Sequence, residues 1–237
     1  MKSYYSSNLS GWRLKQCYDL APPRVQKYLK AETAFVLDHI SSAGRTLDLG
    51  CGYGRIIPDL LRKSRNVVGV DISRPNLEFA VRCLQGREHF QLLVMDAARL
   101  GFPSGLFSNV VCIQNGISAF KVDPGRLINE ALRVCRRNGI VLFSTYADSF
   151  WEDRLDWFRI QAQHGLLGEI DEKRTRRGLI ICRDGFRATT FSADDFTQLT
   201  RGLDAEVKIT EVDGSSLFCL IRPGRGRDPL TSPPARR

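Results

Sequence analysis

The chain has few histidines, and its cysteines lack the paired spacing of a metal site. It has three histidines, His39, His89 and His164, and seven cysteines, no two of which form a C-x-x-C pair. This spacing argues against a zinc ribbon, and we predict no metal site. An odd number of cysteines without paired spacing fits a reducing compartment better than a disulfide framework.

Long apolar runs are also absent. No run approaches the roughly 20 residues that span a membrane. The first residues, MKSYYSSNLSGWRLKQ, contain no apolar core of signal-peptide type. We therefore expect a cytoplasmic protein without a membrane partner. The 237 residues, 43% of them hydrophobic, suffice for one domain with an insertion.

The net charge of +9 is unevenly distributed along the chain. The last residues, RPGRGRDPLTSPPARR, are rich in Pro, Gly and Arg and carry much of the positive charge. This composition predicts a disordered basic tail at 223–237. The charge on the rest of the chain is modest for an RNA-binding enzyme. Nucleic acid is therefore a disfavoured partner, and it is kept as an alternative.

The most informative segment is TLDLGCGYGR at residues 46–55. A short apolar run is followed by Gly50, Gly52 and Gly54, and a helical pattern begins after them. Glycines at such a turn let a ligand approach the backbone closely. The dinucleotide fingerprint G-x-G-x-x-G would need glycine where Arg55 stands. The leading Asp48 suits a cationic amino group and would sit badly beside a pyrophosphate.

Two further buried runs end in acids. Residues 66–72 read NVVGVDI, so Asp71 ends a strand, and the run 90–95 is followed by Asp96. A carboxylate placed like Asp71 can accept hydrogen bonds from both hydroxyls of a ribose, although it could also serve the start of the next helix.

The pattern D-x-G-x-G-x-G with acids at three successive strand ends resembles the class I S-adenosylmethionine-dependent methyltransferases over about residues 25–222. The resemblance implies S-adenosylmethionine as cofactor, with Asp71 on the ribose and with Asp96 and the next backbone N–H on the adenine. The cofactor-binding residues that it implies are Asp48, Gly50, Cys51, Gly52, Gly54, Asp71, Ile72, Asp96, Ala97, Gln114 and Asn115.

Alternation of strand and helix patterns predicts an α/β fold with a parallel sheet and right-handed crossovers. We expect strands at 46–49, 67–71, 90–95, 109–113 and 139–146 and helices at 24–41, 54–63, 75–84 and 123–137. A capped helix follows at Ser192, and Asp213-Gly214 joins two adjacent strands, 206–212 and 216–222. In the family, such a hairpin closes a three-layer sandwich around a mostly parallel seven-stranded sheet.

The chain outside this alternation divides into an aromatic arm at 1–23 and an insertion at about 148–191 of the domain 24–222. The arm contains Tyr4, Tyr5, Trp12 and Tyr18. The rings either anchor the arm to the core or close over the site. The insertion, with a hairpin expected at Asp184-Gly185, would cover the carboxyl edge of the sheet as a substrate lid. Its basic run at 173–177 is interpreted first as a solvated face.

Methyl transfer needs mainly proximity, orientation and exclusion of water, so the catalytic residues are unknown. The weak candidates are Asn115, Tyr146 and His164. The sequence after the fourth strand, QNGI at 114–117, lacks the N-P-P-Y or D-P-P-Y motif that is typical of base amino-methylation.

The first hypothesis is therefore a methyltransferase acting on a small-molecule O, N or S acceptor. The alternatives are an RNA or protein methyltransferase, a non-catalytic cofactor-binding subunit and, weakened by Arg55, an oxidoreductase. The acceptor, the oligomeric state and any ligand of the tail cannot be derived from the sequence.

Overall fold

A computed structural model describes residue 4 and residues 8–42 and 44–224. Tyr5 of the predicted arm and residues 225–237 of the predicted tail lie outside the described residues. The division into arm, domain and tail stays a prediction, although the last strand runs to Pro223, one residue beyond the predicted end of the domain.

Helices and strands follow one another largely as the sequence predicts. The helices are α1 (Trp12–Asp19), α2 (Pro23–His39), α3 (Ile57–Lys63), α4 (Arg74–Cys83), α5 (Gly116–Ala119), α6 (Pro124–Val134), α7 (Trp151–Gln163) and α8 (Ala193–Thr200). The strands are β1 (Arg45–Leu49), β2 (Asn66–Asp71), β3 (Phe90–Val94), β4 (Phe107–Cys112), β5 (Cys135–Tyr146), β6 (Leu179–Ile181), β7 (Arg187–Thr189), β8 (Ala205–Val212) and β9 (Ser216–Pro223).

Seven strands form one sheet in the order β3-β2-β1-β4-β5-β9-β8. The first five strands are parallel, and β9 pairs antiparallel with both β5 and β8. The predicted fold class, a mostly parallel sheet that ends in an antiparallel hairpin, is confirmed.

Each central strand contributes to two cores because successive side chains point to opposite faces of a sheet. Val110 and Cys112 belong to one buried cluster, which includes Leu127 of α6. Val111, between them, belongs to another cluster that includes Val36 of α2 and Leu60 of α3. The molecule is thus layered as helix, sheet and helix.

Three predicted boundaries are wrong by three or four residues. The helix expected from residue 54 begins at Ile57, because the three loop glycines hold positive φ angles and the chain turns before it coils. The helix expected to reach residue 137 ends at Val134. There β5 begins four residues early, with Cys135 paired to Phe107 across a register irregularity.

The arm and the insertion pack on each other. The insertion contains α7 and the hairpin β6–β7, in which Cys182 N–H donates to Phe186 O at 2.9 Å. Leu9 and Cys17 from the arm share a buried cluster with Trp157 and Phe186 from the insertion. No helix in the described ranges is both long and apolar enough to cross a membrane.

Asn109 fastens the end of α2 to the sheet, and its replacement tests that connection. Its Oδ1 accepts from Ser41 N–H at 2.8 Å, and its Nδ2 donates to Ser41 O and Thr46 Oγ1. We expect Asn109→Ala to lower the free energy of unfolding by roughly 2–3 kcal/mol, because it leaves buried groups unpaired. Urea unfolding measures this. The exposed Asn138→Ala is the control, and equal losses would contradict the assignment.

Candidate active site at the carboxyl edge of the sheet

One cavity of about 640 Å³ lies where β1 to β5 end. Ligand sites in proteins commonly have volumes of about 300–1,000 Å³. The arm and the insertion contribute residues to its wall. Of the residues that the sequence singles out, the cavity is lined by Asp48, Gly50, Cys51, Gly52, Asp71, Ile72, Asp96, Ala97, Gln114, Asn115 and Tyr146.

The glycine loop presents bare backbone to this cavity. Gly50 and Gly52 have φ angles of 72° and 56°. A Cβ at Gly50 would lie 2.5 Å from Phe120 Cε1, so no larger residue fits without displacing that ring. The N–H groups of Gly50 and Cys51 both donate to Val70 O, which fixes the loop against β2.

Gly54 does not line the cavity. Its φ is +77°, and a Cβ there would lie 2.9 Å from Leu84 Cδ1, next to the end of α4. The residue is needed for the turn and for close packing of the loop on that helix. Its inclusion among the cofactor-binding residues is not supported by its position.

Asp48 holds a buried carboxylate at the end of β1. The side chain is 3% exposed, and Oδ2 has no hydrogen-bond partner among residues 8–42 and 44–224. Burial raises the pKa of Asp48 to about 7, although the Arg55 guanidinium acts to lower it. A buried acceptor oxygen that the protein leaves unpaired is a place for a cationic donor from a ligand.

Asp71 ties the glycine loop to the start of α4. Its Oδ2 accepts from Gly52 N–H at 2.9 Å, and its Oδ1 accepts from Ser73 N–H at 2.7 Å and Asn76 Nδ2 at 3.4 Å. Both predicted roles of this acid are therefore compatible. Burial raises its pKa, and these donors oppose the shift. A carboxylate has about four acceptor positions, so capacity remains for a ligand hydroxyl.

The far end of the cavity combines an apolar surface with an acid. Ile72 is 61% exposed although it is a large apolar residue. Asp96 follows β3, and its Oδ1 accepts from Ala98 N–H at 2.9 Å. A flat heterocycle could lie against the isoleucine while its amino group reaches the carboxylate.

Gln114 and Asn115 follow β4 in the left-handed backbone region, with φ angles of 56° and 63°. Such angles cost energy in residues other than glycine and persist where the surroundings enforce them. Ser144 provides part of that support, since its Oγ accepts from Gln114 N–H and its backbone O accepts from Asn115 N–H. The Asn115 carboxamide bonds Thr189 O and Thr145 Oγ1, so it joins the insertion to β5.

Arg55 lines the cavity, and Glu32, which the sequence did not predict as a site residue, lies buried beside it. This glutamate is fully buried, and its Oε1 accepts from Ser144 Oγ at 2.6 Å and Gln114 N–H at 3.0 Å. Its Oε2 lies 3.8 Å from the Arg55 guanidinium. Burial raises the pKa of Glu32, and Arg55 opposes that shift. Glu32 stands on the buried stripe of α2 with Val25, Tyr28 and Val36, a spacing visible in the sequence.

The two remaining catalytic candidates differ in position. Tyr146 is buried in the cavity wall, where its hydroxyl accepts from Gln114 Nε2 at 3.3 Å. His164 is exposed at the end of α7, its Nδ1 lies 2.9 Å from Ile160 O, and it does not line the cavity. The structure therefore does not bring His164 to the cavity, and its ring contacts the backbone of α7 instead.

Known proteins resemble both the sequence and the fold. Residues 47–143 match the sequence model of a family described as a methyltransferase domain. The chain is 30% identical over 138 residues to malonyl-[acyl-carrier protein] O-methyltransferase from Legionella pneumophila, which covers 56% of this chain and 48% of that one. It is 32% identical over 129 residues to phosphatidylethanolamine N-methyltransferase from Cereibacter sphaeroides, with coverages of 53% and 61%. The chain thus spans about half to three-fifths of these relatives.

A solved SAM-dependent methyltransferase from Methanosarcina mazei shares the fold, with a TM-score of 0.60 and 19% identity over 81% of this chain and 98% of that one. Residues 47–143 thus match the methyltransferase-domain family in sequence, and the chain has the fold of a solved SAM-dependent methyltransferase, which confirms the resemblance that its motifs predicted. The predicted cofactor, S-adenosylmethionine, is that of the family.

The site fits this cofactor on its own geometry. The unpaired Asp48 Oδ2 matches an ammonium group, the spare capacity of Asp71 matches a ribose hydroxyl, and Ile72 with Asp96 matches an adenine. These three features lie at the ends of β1, β2 and β3, which are adjacent in the sheet. Neighbouring strands lie about 4.8 Å apart, so the three positions span roughly 10 Å.

The raised pKa of Asp48 predicts a pH effect in ligand-free protein. Between about pH 4 and 7 the folded state keeps a proton that the unfolded chain has released, so the contribution of Asp48 to stability falls as pH rises. Between about pH 5 and 7, we expect the free energy of unfolding of the wild type to fall by roughly 2 kcal/mol more than that of Asp48→Asn. Urea unfolding over this range tests it. Asp38→Asn, at an exposed site, should keep the wild-type profile, and parallel profiles for Asp48→Asn would refute the assignment.

Proposed function

We propose that the chain transfers a methyl group from S-adenosylmethionine to an O, N or S atom of a small molecule by in-line displacement. The observation that carries this proposal is a single cavity that joins the cofactor-type acids to an aromatic chamber. The chamber wall is formed by Tyr18 from the arm, Tyr146 from β5, and Trp157, Phe158 and Phe186 from the insertion.

The part of the cavity beside Asp96 and the part beside Tyr146 lie at different strands along the carboxyl edge of the sheet. Four strand intervals divide β3, beside Asp96, from β5, which ends at Tyr146. At about 4.8 Å each, they give roughly 19 Å along the edge of the sheet. The cofactor would occupy the end near β3, β2 and β1, and the acceptor would enter beneath the insertion at β4 and β5.

The residues of the site would hold and orient the reactants. Asp71 would bind the ribose, Asp96 and Ala97 the adenine, and Asp48 the amino group, with Ile72 against the ring. When bound, S-adenosylmethionine supplies an electrophilic methyl group on a sulfonium. The aromatic wall would exclude water and fix the acceptor, which are the main contributions a protein makes to such a displacement.

Tyr146 is the one catalytic candidate that keeps a suitable position. Its hydroxyl already takes a hydrogen bond from Gln114 and could in turn accept one from an acceptor O–H or N–H. Asn115 is better described as a positioning residue, because its carboxamide is engaged at both ends by Thr189 and Thr145.

A macromolecular acceptor has weaker support. The basic run of the insertion does not line the cavity, and two of its arginines lie close to acids, with Arg177 3.1 Å from Asp148 and Arg174 4.0 Å from Asp171. This matches the solvated face expected from sequence. The two relatives named above act, by their names, on an oxygen of one acceptor and a nitrogen of another, so they do not narrow the atom methylated. A cytoplasmic location stays part of the proposal.

The proposed cofactor site is tested by measuring the affinity for S-adenosylhomocysteine with calorimetry. We expect Asp71→Ala to weaken binding by roughly 1–3 kcal/mol, or about 5- to 150-fold, because charge-assisted hydrogen bonds to the ribose are lost. Asp38→Ala, an exposed acid on α2, should bind as the wild type does. Unchanged affinity in Asp71→Ala would remove this residue from the site.

Transfer itself is measured with methyl-labelled S-adenosylmethionine and a metabolite extract. The proposal expects label in small molecules and none in added tRNA or protein. Label in tRNA or protein would favour the macromolecular alternative, and cofactor binding without any transfer would favour the non-catalytic one.

A further inference from the structure

Gln161 is the polar residue of the aromatic chamber that the protein itself does not engage. It stands on α7, is 4% exposed and lines the cavity. Its backbone O accepts from Leu166 N–H, but within the described ranges no hydrogen bond reaches its carboxamide. Its amide atoms are not among the fully buried polar atoms that lack a partner, so they remain reachable from the cavity, where a ligand could bond them.

The other amides of the cavity differ from Gln161 in this respect. Asn76 accepts from Gly11 N–H and donates to Asp71. Asn115 is held by Thr189 and Thr145, and Gln114 bonds the hydroxyls of Tyr18 and Tyr146. Gln161 alone among these four amides retains both its donor and its acceptor for whatever fills the chamber.

The charges around the chamber bear on what that occupant is. The Arg55 guanidinium carbon lies 5.0 Å from the centre of the Tyr18 ring. The fully buried Arg154 lies 4.5 Å from the centre of Tyr146 and 5.5 Å from that of Phe158. An aromatic face attracts a cation, and here three faces already carry one. A positively charged acceptor would therefore find three aromatic faces already occupied by a cation, one of which, Arg55, also lines the cavity beside Glu32.

We infer that the chamber takes an uncharged acceptor with an apolar body and that Gln161 is a specificity-determining residue, hydrogen-bonding a hydroxyl or carbonyl of that acceptor. This inference rests on the proposed function and adds the substrate class. The apolar body would pack on Trp157, Phe158 and Phe186, and the carboxamide would fix its orientation toward the cofactor end. An aliphatic or aromatic amine, protonated at neutral pH, would be disfavoured.

Three probes of one size separate these contributions. Benzyl alcohol carries a neutral hydroxyl, benzylammonium carries a charge in the same position, and toluene carries neither. Binding to the full chain loaded with S-adenosylhomocysteine is measured by ligand-detected NMR, with affinities expected in the millimolar range. We expect benzyl alcohol to bind more tightly than benzylammonium.

The variant Gln161→Leu should lower the affinity for benzyl alcohol by about 5- to 10-fold, which corresponds to the loss of one neutral hydrogen bond. The same change should leave toluene within about twofold of its wild-type affinity, since toluene has no group to bond. Gln161→Glu, nearly the same shape, should reverse the order by attracting benzylammonium. Gln163→Leu, on the exposed part of the same helix, is the matched control.

Several results would overturn the inference. One is an equal loss of affinity for benzyl alcohol and toluene in Gln161→Leu. The others are a wild type that binds benzylammonium more tightly than benzyl alcohol, and a wild type that binds none of the probes. A loss of S-adenosylhomocysteine affinity in Gln161→Leu would assign the carboxamide to the cofactor instead. If wild-type protein failed to bind S-adenosylhomocysteine at all, the proposed function itself would fail, which is a separate outcome.

Discussion

The buried carboxylate of Glu32 is the group on which the wall of the cavity depends. It extends from α2 to the end of β4 through Gln114 N–H, to β5 through Ser144 Oγ, and to the glycine loop through Arg55. Three parts of the chain that are distant in sequence are thus fixed by one side chain. Removing one partner of a buried pair typically costs more than the pair contributes, because the other charge is left behind.

The ion pair of Glu32 and Arg55 also affects the aromatic chamber, because of where Arg55 lies. The residue occupies the place where a dinucleotide fingerprint would have glycine, and its guanidinium lies against Tyr18 and beside Glu32. A cation there compensates a buried anion and also contributes to the wall of the acceptor chamber. The residue that argues against a pyrophosphate in the sequence therefore contributes, in the structure, to the packing and charge of the aromatic chamber.

The sequence was sufficient for the fold and for bringing together the acids that we propose to bind the cofactor. Both are encoded locally: short apolar runs of strand type, glycines at a turn, and an acid after each of the first three strands. Parallel strands bring their carboxyl ends to one edge, so Asp48, Asp71 and Asp96 had to converge.

The acceptor end could not be derived in this way. Glu32 precedes the glycine loop by a whole helix, and Gln161 sits in an insertion whose path over the sheet no local pattern specifies. The helical periodicity of α2 places Glu32 among its buried apolar residues, and this pattern could have identified it as a buried acid from the sequence. His164 was a candidate by residue type, and its place at the end of α7, where its ring lies 2.9 Å from Ile160 O, keeps it out of the cavity lining.

The most direct measurement is a crystal structure of the protein with S-adenosylhomocysteine. We predict that the amino group lies within about 2.7–3.2 Å of Asp48 Oδ2 and that the sulfur is directed toward the chamber of Tyr146, Trp157 and Gln161. An amino group bound elsewhere, with Asp48 still unpaired, or a sulfur facing away from that chamber would contradict it.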